Sequence, residues 1–423
     1  MATAPRGEPR APIPLGTSRT GTVVWSERFL DYRWTPEHPM QPARLKFTMA
    51  LAASLGLLDG VEVLEPAAAD RQDLLRIHTP DYLDAVERAV PPMGSPAAPP
   101  YGLGSPDNPV FPRMHQAAST IVGGTLAAAR EIAEGRATRA VSIGGGMHHA
   151  MADSAAGFCV YNDPAVAISW LLDHGFDRIA YIDVDVHHGD GVQRAFYADP
   201  RVLTISLHQH PATLWPNTGW PEETGVGAAE GTSINLPLLP GTRDAQWLRG
   251  FHAVVPGAVA AFGPQIVVSQ CGVDSHREDP LADLELTVDG QRAAFRAMRE
   301  LADRYAEGRW LAVGGGGYGL VRVVPRAWTH LLATALDRTI DPATAIPPDW
   351  SDMIRAAAPR ADPPLTMGDG GDVAYRPWDG PGGTGETGDA RVDRAQRAVD
   401  TAVLATRRAT FGLLGLDPED PRD

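Results

Sequence analysis

Seven short, nearly continuous apolar runs, interspersed with longer stretches of helical periodicity, constrain what this chain can fold into. The runs are Thr22–Trp25, Val61–Glu65, Ala140–Ile143, Ile179–Val186, Val202–Leu207, Ile266–Cys271 and Trp310–Val313. A strand with one wet face alternates polar and apolar residues. A continuously apolar run belongs to a strand covered on both faces. Helices are predicted over Arg44–Leu57, Met114–Glu134, Pro164–His174, Arg243–Phe262, Val288–Glu307 and Pro325–Asp337. Strands alternating with helices imply an α/β fold with a parallel sheet. Sites in such sheets form at the carboxyl ends of the strands. The chemically loaded segments of this chain all follow predicted strands.

The 423 residues are enough for a large buried core. A net charge of -15 and a pI of about 5.3 leave no basic surface for DNA or RNA, so no nucleic-acid partner is expected. Lys46 is the sole lysine. Cys159 and Cys271 are too few for a disulfide framework or a Cys-rich zinc site, and their apolar neighbours predict buried free thiols. The N-terminus lacks the apolar stretch of a signal peptide, and no run is long enough to span a membrane. The expected location is therefore the cytoplasm. Residues 1–19, rich in Pro, Arg, Gly and Thr, are expected to be a disordered tail. Residues 20–345 form the main domain, and the Pro-, Gly- and Asp-rich stretch 346–390 is expected as a surface excursion or linker. A helix over 391–415 carries an apolar stripe that could dock back.

The densest chemistry lies in Asp183-Val184-Asp185-Val186-His187-His188-Gly189-Asp190. Alternate residues of a strand share a face, so Asp183, Asp185 and His187 are expected to project together. Two carboxylates and an imidazole suit a divalent metal. An ordinary acidic turn would be costly here without a counter-charge. Asp274, in Gln270-Cys271-Gly272-Val273-Asp274, could complete a three-ligand site with an open coordination position, the pattern of a catalytic metal. Taken alone it could equally be a helix cap. Gly144-Gly145-Gly146-Met147-His148-His149 offers two histidines as ligands or acid/base groups, and Gly314-Gly315-Gly316-Gly317-Tyr318 offers a phenol donor. No Gly-Lys-Ser/Thr follows the glycines, so a phosphate loop is excluded.

In this order and spacing the four segments resemble the zinc-dependent histone deacetylase superfamily, over about residues 21–340. His38-Pro39-Met40-Gln41-Pro42-Ala43-Arg44, Tyr101-Gly102-Leu103-Gly104, Gly157-Phe158-Cys159 with Asn162-Asp163, and Thr204–His208 add to the match. The segment Asp274–Leu281 and the C-terminal helix look most like the bacterial acetoin-utilisation deacetylases. The resemblance implies a three-layer arginase/deacetylase fold with a mainly parallel eight-stranded sheet. It implies Zn²⁺ on Asp185, His187 and Asp274, with Asp183 bonded to His148 and Asp190 to His149. His149 is the implied general base, His148 its charge-stabilising neighbour, and Tyr318 the oxyanion donor. Gly157, Phe158, Trp215 and Leu281 match the walls and rim of a substrate tunnel, and Asp107 a rim carboxylate that grips substrate backbone. Core packing is the plain alternative for Phe158 and Trp215, and a loop cap for Asp107. Trp215-Pro216-Asn217-Thr218-Gly219 departs from the family's usual Phe-Pro-Gly-Thr-Gly. A K⁺ ion is implied at Asp183, Asp185, His187, Ser206 and Leu207, with a second cation around Phe196, Asp199 and Val202.

The implied reaction is hydrolysis of acetyl-lysine in a protein, such as an acyl-CoA synthetase. An acetylpolyamine or other small acetylated amine is the alternative substrate. A two-manganese ureohydrolase and an acetyl-lysine binding module with a dead site are the competing readings. Retention of Tyr318, His149 and the ligand residues speaks against the last.

Overall fold

A computed structural model of the protein describes residues 19–91, 100–383 and 389–423. The expected N-terminal tail lies outside them, except for Arg19. Eight strands run β1 (Arg19–Val24), β2 (Val63–Leu64), β3 (Ala137–Ser142), β4 (Ile179–Asp183), β5 (Val202–Gln209), β6 (Ser233–Leu238), β7 (Ile266–Gln270) and β8 (Trp310–Val313). The helices begin with α1 (Ala43–Ser54), α2 (Arg71–Leu74), α3 (Pro80–Arg88), α4 (Met114–Ala133), α5 (Asp163–Leu172) and α6 (Asp190–Phe196). They continue with α7 (Asp244–Phe262), α8 (Val288–Tyr305), α9 (Val324–Ala335), α10 (Pro348–Ala357) and α11 (Ala390–Thr410).

The strands form one parallel sheet in the order β2-β1-β3-β8-β7-β4-β5-β6. Every residue of β4, β5 and β7 is buried, so helices must cover both faces, as the apolar runs predict. The register matters for function. Ser142 of β3 pairs with Val313 of β8, Val313 with Gln270 of β7, and Gln270 with Asp183 of β4. Four adjacent strands therefore end level, and the four loaded loops leave from one line across the sheet.

The structure departs from expectation in several places, among them the short helices α2, α3 and α6. β6 was not anticipated, because Pro237 and the polar Ser233 and Asn235 interrupt its apolar pattern. A proline is tolerated there because β6 is an edge strand, with one neighbour to hydrogen-bond. β4 ends at Asp183 rather than at Val186. Within 346–390, the chain forms α10 and buries Trp350, Ile354 and Met367 against Phe47 and Leu51 of α1. Helix α3 carries a start signal that was legible: Thr79 accepts from the Tyr82 amide, and Pro80 opens the first turn.

Helix α11 packs on α7 and β6. Its Thr406 hydroxyl donates to the Asn235 carbonyl of β6 at 2.7 Å, covering the open edge of the sheet. Buried Arg407 donates to the carbonyls of Ala253, Asp417, Pro418 and Asp420 and tethers the C-terminal turn. Both cysteines are buried and free. Among the described residues no helix is long and apolar enough to cross a membrane.

Candidate active site

Beyond Asp183 the chain leaves the sheet, so strand alternation does not direct the side chains that follow. The Asp183 carboxylate turns back. Its Oδ2 accepts from His148 Nδ1 at 2.8 Å and from the Tyr181 hydroxyl at 2.7 Å. Asp185 and His187 turn the other way and meet Asp274, arriving from β7. The three offer ligand atoms within 4.8 Å of one another. His187 Nδ1 stands 3.2 Å from Asp185 Oδ1 and 3.1 Å from Asp274 Oδ2. The outer oxygens are fixed by the protein. Gln270 Nε2 and the Gly316 amide both donate to Asp185 Oδ2 at 2.7 Å, and the Val186 amide donates to Asp274 Oδ1 at 2.9 Å. Gly316 is needed as glycine, because a Cβ would collide with Asp274.

This donor set fits a divalent metal. Two fully buried carboxylates are costly without a cation between them. Burial alone would push the His187 imidazole down, but Asp185 and Asp274 lift it to about 10. Burial and the nearby Asp185 push Asp274 up to about 6. The pocket thus holds positive charge strongly. One nitrogen and two carboxylates suit a divalent metal such as zinc.

The β3 loop brings the paired histidines beside this triad. Asp163, at the start of α5, accepts from the Gly146 and Met147 amides at 3.0 and 2.8 Å and so fixes the loop. The His148 and His149 rings stand 3.9 Å apart. His149 Nδ1 lies 2.7 Å from Asp190 Oδ1, as His148 Nδ1 lies on Asp183. Each Nδ1 proton is held by a carboxylate, which leaves each Nε2 for the site. His148 Nε2 is 3.9 Å from Asp185 Oδ2. Burial opposes charge on both rings. For His148, Asp183 and Asp185 overcome it and lift the ring to about 9. For His149, burial and the neighbouring His148 outweigh Asp190 and hold the ring down at about 4.

Aromatic side chains stand over the pair. Trp215 packs edge-on to His149 at 4.6 Å and lies 6.3 Å from His187. Phe158 meets Tyr318 at 5.8 Å. Gly157 has φ +50°, and a Cβ there would strike the His149 ring. Burial, then Asp274 and Asp185, push the Tyr318 phenol well above its ordinary value, so it remains a donor. Beneath it, the buried Arg44 guanidinium donates to the Gly315 and Gly317 carbonyls at 2.8 and 3.0 Å. Asp279 accepts from the Tyr318 amide at 2.8 Å and the Leu281 amide at 3.1 Å, which ties both to one carboxylate. Asp107 connects indirectly. Its carbonyl lies 3.2 Å from His38 Nε2, and the His38 ring packs on Phe158 at 4.4 Å.

The structure therefore gathers Asp183, Asp185, His187, Asp190, His148, His149, Asp274, Gly157, Phe158, Trp215 and Tyr318, with Leu281 and Asp107 attached through intermediaries. Sequence reasoning assigned no role to Gln270, Asp163, Asp279, Arg44 or Tyr181. The first four lie inside the quoted motifs, but their bonds cross between loops and leave no local pattern.

Residues 38–335 match the family model of the histone deacetylase domain. The chain is 40% identical over 333 residues to the acetoin utilization protein AcuC of Bacillus subtilis (strain 168), covering 78% of this chain and 86% of that protein. It is 38% identical over 328 residues to AcuC of Staphylococcus aureus (strain MSSA476), covering 77% and 84%. The crystal structure of an HDAC homolog from Aquifex aeolicus superposes with a TM-score of 0.75 at 28% identity, covering 90% of this chain and 99% of that one. The crystal structure of an HDAC homolog complexed with SAHA gives the same values.

Proposed function

Because the chain belongs to the histone deacetylase family, we propose that this deacetylase hydrolyses acetyl-lysine side chains of proteins with a zinc ion on Asp185, His187 and Asp274. The observation that carries the reading is the unequal histidine pair beside the three-ligand cluster. Zinc bound there would lower the pKa of water and polarise the amide carbonyl. His149, neutral at pH 7, takes the proton of the attacking water and later returns it to the leaving amine. His148 stays protonated beside it and balances developing negative charge. Tyr318 donates to the carbonyl oxygen as that oxygen becomes anionic. The bond that breaks is the amide C–N, and the products are acetate and the free lysine amine. Phe158 and Trp215 would flank the apolar lysine stem, with Leu281 and Asp107 at the rim.

The relatives are named for acetoin utilization, which supports an acetylated metabolic enzyme, such as an acyl-CoA synthetase, as substrate. A K⁺ ion would take oxygens from Asp183, Asp185, His187, Ser206 and Leu207. At the distal position Arg201 holds the Asp199 carboxylate at 2.6 Å, so a cation there would rest on backbone oxygens of the Phe196–Val202 turn. We take 20–345 as the catalytic domain, followed by the 346–390 excursion, whose α10 packs on α1, and by the 391–415 helix. Free thiols suit the cytoplasm. Competition between an acetyl-lysine peptide and acetylputrescine tests the substrate class. The peptide should be turned over in preference. Preference for the diamine would move the assignment to small-molecule amidohydrolysis, and two manganese ions per chain would move it to ureohydrolysis.

A further inference from the structure

The chain between α10 and α11 sends one carboxylate into the interior. The Asp369 side chain is 5% exposed, and its Oδ2 accepts from His276 Nε2 at 2.8 Å and from the Val288 amide at 2.9 Å. Its Oδ1 pairs with buried Arg326 at 2.7 Å. The backbone of this turn is held separately. Asp289 Oδ2 accepts from the Asp369 and Gly371 amides at 2.8 and 2.9 Å.

His276 is fully buried and sits two residues beyond Asp274. Its Nδ1 accepts from the Glu278 amide at 3.0 Å, so its ring proton lies on Nε2, facing Asp369. Its carbonyl accepts from the Asp279 amide at 2.8 Å. The next contacts reach the site: Asp279 holds the Tyr318 and Leu281 amides. An apolar side chain would fill the His276 position at lower cost than a buried imidazole, carboxylate and guanidinium. What the polar set adds is a single orientation for the loop.

We propose that Asp369 is a positioning residue: through His276 it holds the Asp274–Leu281 loop so that Asp274 meets the other metal ligands and Asp279 seats Tyr318. This rests on the roles given above to Asp274 and Tyr318. It gives the C-terminal excursion a part in the reaction although it touches no reacting atom. Groups behind a ligand typically change metal affinity or activity by about 10–100-fold when removed.

The test uses the zinc-loaded full chain and three readouts: zinc affinity against a competing chelator, kcat and KM on an acetyl-lysine peptide, and thermal unfolding. The Asp369→Asn variant should bind zinc about tenfold more weakly and lose kcat by a similar factor, with KM nearly unchanged. The Asp289→Asn variant loosens the same turn without touching His276. It should lower the unfolding temperature and keep zinc affinity. If Asp369→Asn does not fold, His276→Phe is read in its place, with the same expectation. Wild-type zinc affinity and kcat in Asp369→Asn, or equal losses of both in Asp289→Asn, would overturn the proposal. If the wild-type holoenzyme releases no acetate, the deacetylase reading fails, and the chelator competition still decides the positioning role.

Discussion

His148 and His149 share a peptide bond and a depth of burial, yet they sit on opposite sides of neutrality. Asp183 and Asp185 outweigh burial at the first, while at the second burial and the charged neighbour outweigh Asp190. Two titratable groups pushed apart in this way can divide acid and base work. At the same scale, Tyr318→Phe removes one donor and no packing. It should lower kcat by about 10²–10³ while zinc content and unfolding temperature stay at wild type, as steady-state kinetics and metal analysis would show. His78 is another buried imidazole that the fold holds neutral. Its Nδ1 donates to the Met151 carbonyl and its Nε2 accepts from the Asn162 amide, so protonation would break the second bond. Burial holds this ring down at about 4, from an ordinary 6.5. Between those values the unfolded chain binds more protons than the native one. The stabilising contribution is complete above pH 6.5 and is lost as pH falls towards 4. In His78→Gln, denaturant titrations across that window should show a pH slope smaller by up to about 1.4 kcal/mol per pH unit. An unchanged slope would mean that the ring is not held neutral. Asp185 and His187 were legible as candidate ligands because acids and a histidine crowded into one short apolar-flanked segment have few other uses, whereas Asp274 was not legible by itself, since a lone acid after a strand caps a turn or helix as readily. Gln270 and Asp163 were not legible, because an amide or acid at an element end most often caps it locally.

At the scale of elements, four strands ending level carry the site: β3, β8, β7 and β4 each contribute one loop. Their continuous apolar runs made them legible, and so did the motif at each end. The direction of the side chains was not, because β4 stops at Asp183 and the loop geometry that follows depends on contacts from β7 and β8. The edge strand β6 escaped notice for the opposite reason, since half-polar residues and a proline suit an edge. Helix α11 covers that edge, and Phe411 just beyond it is fully buried, stacked under Arg407. Phe411→Ala should cost about 3–5 kcal/mol in denaturant unfolding, from lost burial and the cavity left behind. It should also promote concentration-dependent self-association as the β6 edge opens. Native stability in this variant would mean that α11 is not part of the cooperative unit.

For the whole molecule, a parallel sheet buried on both faces brings together candidate ligands from distant parts of the sequence, so a metal held by them would be thermodynamically linked to the fold. A metal that binds the native state alone stabilises it by RT ln(1 + [L]/Kd), about 2.7 kcal/mol at a hundred times Kd. Removing the metal should therefore lower the unfolding temperature, and zinc should restore it. An Asp274→Ala variant should show neither change. In the proposed reaction His149 and Tyr318 act on an acetyl-lysine amide beside a metal held by Asp185, His187 and Asp274. The most direct test of that reaction is acetate release from an acetyl-lysine peptide by the zinc-loaded wild type, His149→Ala and Tyr318→Phe, with peptide binding measured alongside. The wild type should turn over, and both variants should bind peptide within a few-fold of wild type and lose turnover by at least about 10². Full turnover in either variant would contradict the mechanism.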